Sequence, residues 1–241
     1  MSTVMPTQAM VLAAGLGKRM RPLTDHIPKP MIEVAGCTMV DRAIDYLEGA
    51  GVTRVVVNGS YKADLLEAHL KKRISPQLMF SREAEPHETG GGIAYALHYF
   101  SAAPFFAVNG DIIWTDGSAP ALRRLASAWD DRLDALLLVH PVEKAIGYGG
   151  QGDFFLSPEG HLTRRAGSAR APYVYAGVQL LHPRLFKGAP RGAFSLNVLY
   201  DKAIETNPPR IKAIVHDGAW LHVGDPQGKE QAEEYLRTNG C

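Results

Sequence analysis

Between Leu12 and Met31 the chain reads LAAGLGKRMRPLTDHIPKPM, which sets Gly15 and Gly17 before Lys18, Arg19, Arg21 and Lys29, with a single acid, Asp25, among them. Glycines let a backbone come close to a ligand. A run of cations just beyond them suits a polyphosphate, because backbone N–H groups take its oxygens and Arg or Lys neutralises its charge. Neither common phosphate signature is spelled here. Gly15-Leu16-Gly17-Lys18 lacks the spacer and the Ser/Thr of a Walker loop, and Met20 stands where a dinucleotide fingerprint has its third glycine. Pro22, Pro28 and Pro30 restrict the backbone, so that Lys29 is held between two proline rings. Without a ligand, the same residues read as a solvated basic loop.

Two further segments offer complementary groups. FFAVNGDIIW, residues 105–114, ends an apolar run in Asn109-Gly110-Asp111. A strand ending there delivers a carboxylate to the sheet edge, where one Asp can hold Mg2+ while substrate phosphates complete its shell; as a plain turn the same triplet is equally ordinary. EAEPHETGGGIAYAL, residues 83–97, places three glycines at a helix start with Thr89 as its expected cap. Such an entry either admits a flat base or sugar or simply begins a helix.

The elements that must position these groups follow from periodicity. Short apolar runs at 9–14, 54–58, 77–82, 105–109 and 135–140 read as strands. Segments of helical period lie between them at 38–49, 63–73, 92–100 and 119–129. This alternation predicts an α/β fold, a doubly wound and mostly parallel sheet. Beyond Pro141 the texture changes to Gly-rich turns and short alternating strands, followed by a helix at 195–206, strands at 211–216 and 219–223, and a helix at 226–237. The expectation is a single domain over 1–241. Its nucleotide-binding part spans about 8–140, a small antiparallel lobe laid over the sheet about 141–225, and a C-terminal helix 226–238. In such sheets ligands sit beyond the carboxyl ends of the strands, where the basic loop and Asp111 both fall.

Composition narrows the partners. With 26 Lys and Arg against 25 Asp and Glu over 241 residues, no overall field favours nucleic acid or an anionic membrane. Two cysteines, Cys37 and Cys241, make neither a disulfide framework nor metal-ligand spacing. The N-terminal stretch has no basic segment before an apolar one, and no apolar run approaches a membrane span. A cytoplasmic protein is the expectation. Nothing in the sequence bears on its oligomeric state.

LAAGLGKRMRPLT with PKPM, then ETGGG, then VNGD, in that order and spacing, resembles the sugar-1-phosphate nucleotidyltransferase family from about Ala9 to the C-terminal helix. The short length, the ETGGGI spelling and VNGDIIW are most like its bacterial cell-wall-recycling branch, which implies UTP and N-acetylmuramate α-1-phosphate as substrates and Mg2+ as cofactor. The resemblance implies Arg19 on the β/γ-phosphates, Lys29 on the α-phosphate or the sugar phosphate, and Asp111 on the metal. Ala14 and Gly15 by their main chain, with Glu83, Thr89 and Gly90, would read the uracil; Gly17 and Asn109 complete the nucleotide site. Gly152, Asp153 and Gly177 would meet the sugar. Lys18 is either a phosphate ligand or solvated. Lys144, Arg164, Arg165 and Arg170 are all open as partners for a lactyl carboxylate. A guanylyl- or cytidylyl-transferring relative, or a nucleotide-sugar sensor without chemistry, are the rival readings.

One departure stands out. Many relatives carry an Asp in a W-x-D-x-G-T segment, whereas here Trp220-Leu221-His222-Val223-Gly224-Asp225 puts His222 at that position. Mg2+ prefers oxygen, so His222 is expected to donate a hydrogen bond toward phosphate or metal-bound water. Asp225, just before Pro226, is expected to be chiefly a helix cap.

Overall fold

The structure is a computed structural model that describes residues 5–167 and 169–240, so Cys241 lies outside the described residues. The first strand, β1 (Gln8–Leu12), leads through a loop of three single-turn 3-10 segments into a small ribbon of β2 (Glu33–Val34) and β3 (Cys37–Thr38). Then come α1 (Met39–Gly49), β4 (Arg54–Gly59), α2 (Ala63–Leu70), β5 (Gln77–Arg82), α3 (Glu88–Ala96), β6 (Phe105–Asn109) and β7 (Ile112–Trp114). The second half runs through α4 (Ala121–Ser127), β8 (Ala135–Pro141), β9 (Phe154–Leu156), β10 (Leu162–Arg164) and β11 (Tyr173–Leu181). It ends with α5 (Asn197–Glu205), β12 (Ile211–Val215), β13 (Trp220–His222) and α6 (Pro226–Asn239).

β1, β4, β5 and β6 pair in parallel, with β1 between β4 and β6. Their residues alternate between two buried layers. Ala9, Val11, Val55, Val57, Phe106 and Val108 face the side packed by α1, α2 and α4, while Met10, Val56, Phe105 and Ala107 face α3 and α5. A sheet covered on both faces accounts for strands that are apolar at nearly every position. A third cluster, with Met20, Ile32, Met39, Leu221 and Leu236, pins the basic loop and the ribbon to β13 and α6.

The antiparallel lobe does not lie over the sheet as expected. Its strands continue the same sheet: β11 pairs antiparallel with β6 and β8, β12 runs parallel to β8, and β9 and β10 extend the edge. The reason is β11, whose nine residues include Ala176, Val178, Leu180 and Leu181, all buried, and which therefore needs neighbours on both faces and both edges. The ladder between β11 and β8 breaks between Tyr175 and Gln179, around Gly177 at φ +75°. The helix expected at 92–100 begins earlier, at Glu88, and the one expected at 63–73 ends at Leu70.

Candidate active site

Parallel connections leave β1 toward β4 on one side and reach β6 on the other, so the strand order reverses at β1 and opens a crevice beyond the strands' carboxyl ends. The crevice there is an open cleft. It is lined by the loop after β1, by Lys29, by Asn58 at the end of β4, by Glu88 and Thr89 at the start of α3, and by Asn109 and Asp111 beyond β6.

Lys29 and Asp111 meet across it, with Nζ donating to Oδ2 at 2.8 Å. Lys29, restrained by its flanking prolines, is only 7% exposed, while the side chain of Asp111 is 37% exposed and keeps an open side. Gly17 makes that burial possible: it sits at φ +62°, and a Cβ there would stand 2.9 Å from both Lys29 Cβ and Thr24 Cγ2. The Thr24 hydroxyl closes the turn by donating to the Gly17 carbonyl at 3.0 Å. Gly15 is different, with open space where a side chain would be. Ala14 and Gly15 line the cleft; Lys18 and Arg19 lie beyond that lining, exposed, and form no ion pair with described residues. Arg21 pairs with Asp25 at 3.4 Å on the surface.

Glu83 does not reach the cleft. It is 2% exposed, and its two carboxylate oxygens accept from Asn58 Nδ2 at 2.6 Å and from the His87 N–H at 2.9 Å. Asn58 in turn accepts from the Ala13 N–H at 2.8 Å, so a buried chain of hydrogen bonds ties the end of β1 to β4 and to the entry of α3. A buried carboxylate satisfied on both oxygens is a support for the backbone around it. Sequence reasoning passed over Asn58, although VVVNGS ends a parallel strand in Asn-Gly as FFAVNGD does.

The glycines of ETGGG serve packing rather than ligand approach. A Cβ on Gly90 would lie 2.4 Å from the Phe194 ring, one on Gly91 2.3 Å from the Gly192 carbonyl, and one on Gly92 2.8 Å from Asn58 and Glu83. The Gly90 and Gly91 N–H groups both donate to the Phe194 carbonyl. Thr89 is not a cap. His87 is the N-cap residue, and the Thr89 hydroxyl accepts from the Leu196 N–H at 3.0 Å. The carboxylate that does face the cleft is the neighbouring one, Glu88, exposed and at φ +59°, a conformation that costs a non-glycine residue energy.

β13 lies antiparallel to β7 and pairs His222 with Ile112, next to Asp111. The imidazole is held between Tyr148, edge-on at 5.7 Å, and Trp220 at 5.7 Å. Burial pushes its pKa down; Asp111 opposes that, and Lys29 and Arg19 add to it, so all four groups share one electrostatic neighbourhood. Asp225 is the N-cap of α6, accepting from the Gly228 N–H at 2.8 Å. Among the described residues no cluster of three His, Cys, Asp or Glu could hold a metal ion. Asp111, with one oxygen on Lys29 and a side open to the cleft, fits a hard ion whose remaining ligands come from phosphate and water.

Gly152, Asp153 and Gly177 line neither this cleft nor the pocket beside it. They build β11's irregular stretch: the Asp153 carboxylate accepts from the Tyr175 N–H at 2.8 Å, and a Cβ on Gly152 would lie 2.3 Å from the Ala171 carbonyl. A Cβ on Gly177 would lie 3.1 Å from Asn109 Nδ2, so that glycine lets β11 close on the end of β6.

A doubly wound sheet with a lysine–carboxylate pair and a glycine loop at its switch point defines an α/β enzyme that handles phosphorylated ligands. The chain belongs to the nucleotidyl transferase family, whose pattern matches residues 8–150. It is 41% identical over 237 residues to the N-acetylmuramate alpha-1-phosphate uridylyltransferase of Caulobacter vibrioides, covering 96% of this chain and 97% of that one. It is 33% identical over 220 residues to the protein of that name from Neisseria meningitidis, covering 90% and 93%. Among solved structures, HddC from Yersinia pseudotuberculosis complexed with GMP-PN superposes with a TM-score of 0.76 at 26% identity, over 95% of this chain and 99% of the other. A UDP-glucose pyrophosphorylase complexed with UDP-glucose shares the fold at a TM-score of 0.78 and 16% identity, over 98% of this chain and all of the other.

Proposed function

We propose that this nucleotidyltransferase moves UMP from UTP to a sugar 1-phosphate, N-acetylmuramate α-1-phosphate, and releases pyrophosphate, in the recycling of cell-wall sugars in the cytoplasm. The observation that carries the reading is the buried Lys29 held 2.8 Å from Asp111 in the cleft beside the Gly15 loop. A phosphate oxygen of the sugar attacks the α-phosphorus in line; the bond to the bridging oxygen breaks, and its electron pair leaves with pyrophosphate. The nucleophile is already an anion near neutral pH, since a phosphomonoester's second pKa is about 6. No general base is required. Catalysis rests on position and charge: Lys29 faces the reacting phosphates, Arg19 reaches in from the exposed loop to the β/γ-phosphates, and the main chain of Ala14 and Gly15 approaches the nucleotide. Lys18, on the same loop, joins Arg19 at the outer phosphates.

Asp111 would hold Mg2+, which when bound supplies further charge neutralisation. His222 donates a hydrogen bond toward the phosphates from its seat beside Asp111. The identity of two full-length relatives of like name supports UTP and the muramyl sugar. Pyrophosphate release measured with four nucleoside triphosphates against a panel of sugar 1-phosphates tests the reading. UTP with N-acetylmuramate α-1-phosphate should give the highest kcat/KM, abolished by chelation of Mg2+; a tenfold preference for another nucleotide would overturn it.

A further inference from the structure

The loop that carries Lys18 and Arg19 is held at both of its ends by the end of β4 and the turn after it. On the near side the Ala13 N–H donates to Asn58 Oδ1 at 2.8 Å; on the far side the Tyr61 hydroxyl donates to the Thr24 carbonyl at 3.0 Å. Between these two clamps run residues 14–23, of which only Met20 is buried. Among the described residues, the bond from Tyr61 is the only hydrogen bond that ties residues 14–27 to the rest of the chain. Its acceptor belongs to a residue that is 1% exposed, and the hydroxyl of that same Thr24 donates to the Gly17 carbonyl at 3.0 Å. Tyr61 is thereby linked through Thr24 to the turn from which Lys18 and Arg19 project.

The charges on this loop work against a closed shape. Lys18, Arg19 and Arg21 place three cations within four residues, and of these only Arg21 has an acid partner, Asp25. Like charges so close repel one another, and exposed chain without partners gains entropy by opening. Closing the loop only when a polyanion arrives would subtract the ordering cost from binding. A hydrogen bond that keeps it closed beforehand lowers that cost. The donor is itself held: Lys62, at φ +49°, turns the chain into α2 and sets its ammonium 5.3 Å over the Tyr61 ring.

We propose that Tyr61 is a positioning residue for the outer phosphates of the nucleotide, acting through the Thr24 carbonyl to keep the loop of Lys18 and Arg19 closed before the nucleotide binds. The inference rests on the proposed function, in which those two cations meet the β/γ-phosphates. Tyr61 lines neither the cleft nor the pocket beside it, so its effect is carried by the loop. A nucleoside monophosphate has no β- or γ-phosphate. It reaches only the near end of the loop, at Ala14 and Gly15, which Asn58 holds through Ala13. The anchor at Tyr61 therefore favours a triphosphate and leaves a monophosphate unaffected.

The test is calorimetric binding of UTP and of UMP, each with Mg2+, to wild type and to Tyr61→Phe. The change removes one hydroxyl from a half-buried ring, and because the loop opens locally the melting temperature should hold. Kd for UTP should rise about fivefold to tenfold, the scale of one net hydrogen bond, while Kd for UMP stays the same. In a Lys18→Ala, Arg19→Ala background, adding Tyr61→Phe should change the UTP Kd by less than about twofold, because the groups it positions are gone. Trypsin reads the loop without nucleotide: cleavage after Lys18 or Arg19 should be about fivefold faster in free Tyr61→Phe than in free wild type. An unchanged Kd for UTP, an equal loss for UMP, or equal cleavage rates overturn the role of Tyr61 and leave the nucleotidyl-transfer reading standing. A wild type that neither binds UTP nor releases pyrophosphate with any sugar 1-phosphate overturns both.

Discussion

Two glycine-rich segments border the same cleft and use their glycines in opposite ways. In the loop after β1, Gly15 faces open space at the cleft, while Gly17 bends the chain so that Lys29 can be buried. At the start of α3, Gly90, Gly91 and Gly92 are all buried, each filling a position where a methyl would strike Phe194, Gly192 or the Asn58–Glu83 pair. One segment leaves room for a ligand; the other removes side chains so that two parts of the chain can touch. Spelling alone does not separate these uses, because both satisfy the same preference for a residue without Cβ.

The largest expected effect lies on the open side. Asp111→Asn should keep the fold and lower kcat by about 10³, the scale of losing a charge-stabilising group. Turnover within tenfold of wild type would remove Asp111 from the chemistry. Lys29→Ala should cost about 10² in kcat/KM by the same reasoning, with little change in melting temperature because the partner carboxylate is open to water. A parallel fall in melting temperature would mark Lys29 as structural.

The glycines themselves give the sharpest contrast. Gly91→Ala places a Cβ 2.3 Å from a backbone carbonyl, and should cost about 2–4 kcal/mol in denaturant unfolding. Gly15→Ala meets nothing and should leave stability unchanged while raising the KM for the nucleotide. Equal stability losses in the two would erase the distinction.

A smaller effect separates the two residues after β13. Asp225→Ala should lose about 1 kcal/mol of stability, the usual cost of an N-cap, with near-normal Mg2+ dependence of turnover. His222→Ala should do the reverse. A tenfold higher Mg2+ requirement in Asp225→Ala without destabilisation would move a metal ligand to that position.

The smallest effect near neutral pH comes from the packed interior behind β13. His140 and His216 are each 1% exposed; burial, with His216 nearby, pushes His140 down, and burial pushes His216 down. Each donates from Nε2 to a backbone carbonyl, of Gly218 and Ala219, and has a buried Nδ1 without a partner. The folded state thus binds fewer protons than the unfolded chain. Stability should be full above about pH 6.5, the ordinary histidine value, and fall as the pH drops below it. A melting temperature that falls less from pH 7 to 5 in a His140→Gln, His216→Gln variant than in the wild type would assign that part of the loss to this pair, and an equal fall would remove it.

The sequence by itself determined the alternation of strands and helices, since period-two and period-3.6 burial are properties of neighbouring residues. It also placed the basic loop and Asp111 at one edge, because parallel strands joined by helices must end on the same side of a sheet. That Lys29 is held in place was legible too, in the prolines beside it; its burial was not. What only the tertiary structure decided are the pairings between distant segments. Glu83 is drawn inward by Asn58, 25 residues away, which leaves Glu88 as the carboxylate that the start of α3 presents to the cleft, opposite Asp111. Thr89 binds the N–H of Leu196, 107 residues on, instead of capping its own helix. The antiparallel strands join the main sheet through β6, and β11, irregular where it passes β8, brings Gln179 and Tyr175 to one pocket with Asn109. A side chain's role depends on which groups fill the space around it. That space is enclosed by parts of the chain whose separation no local pattern records.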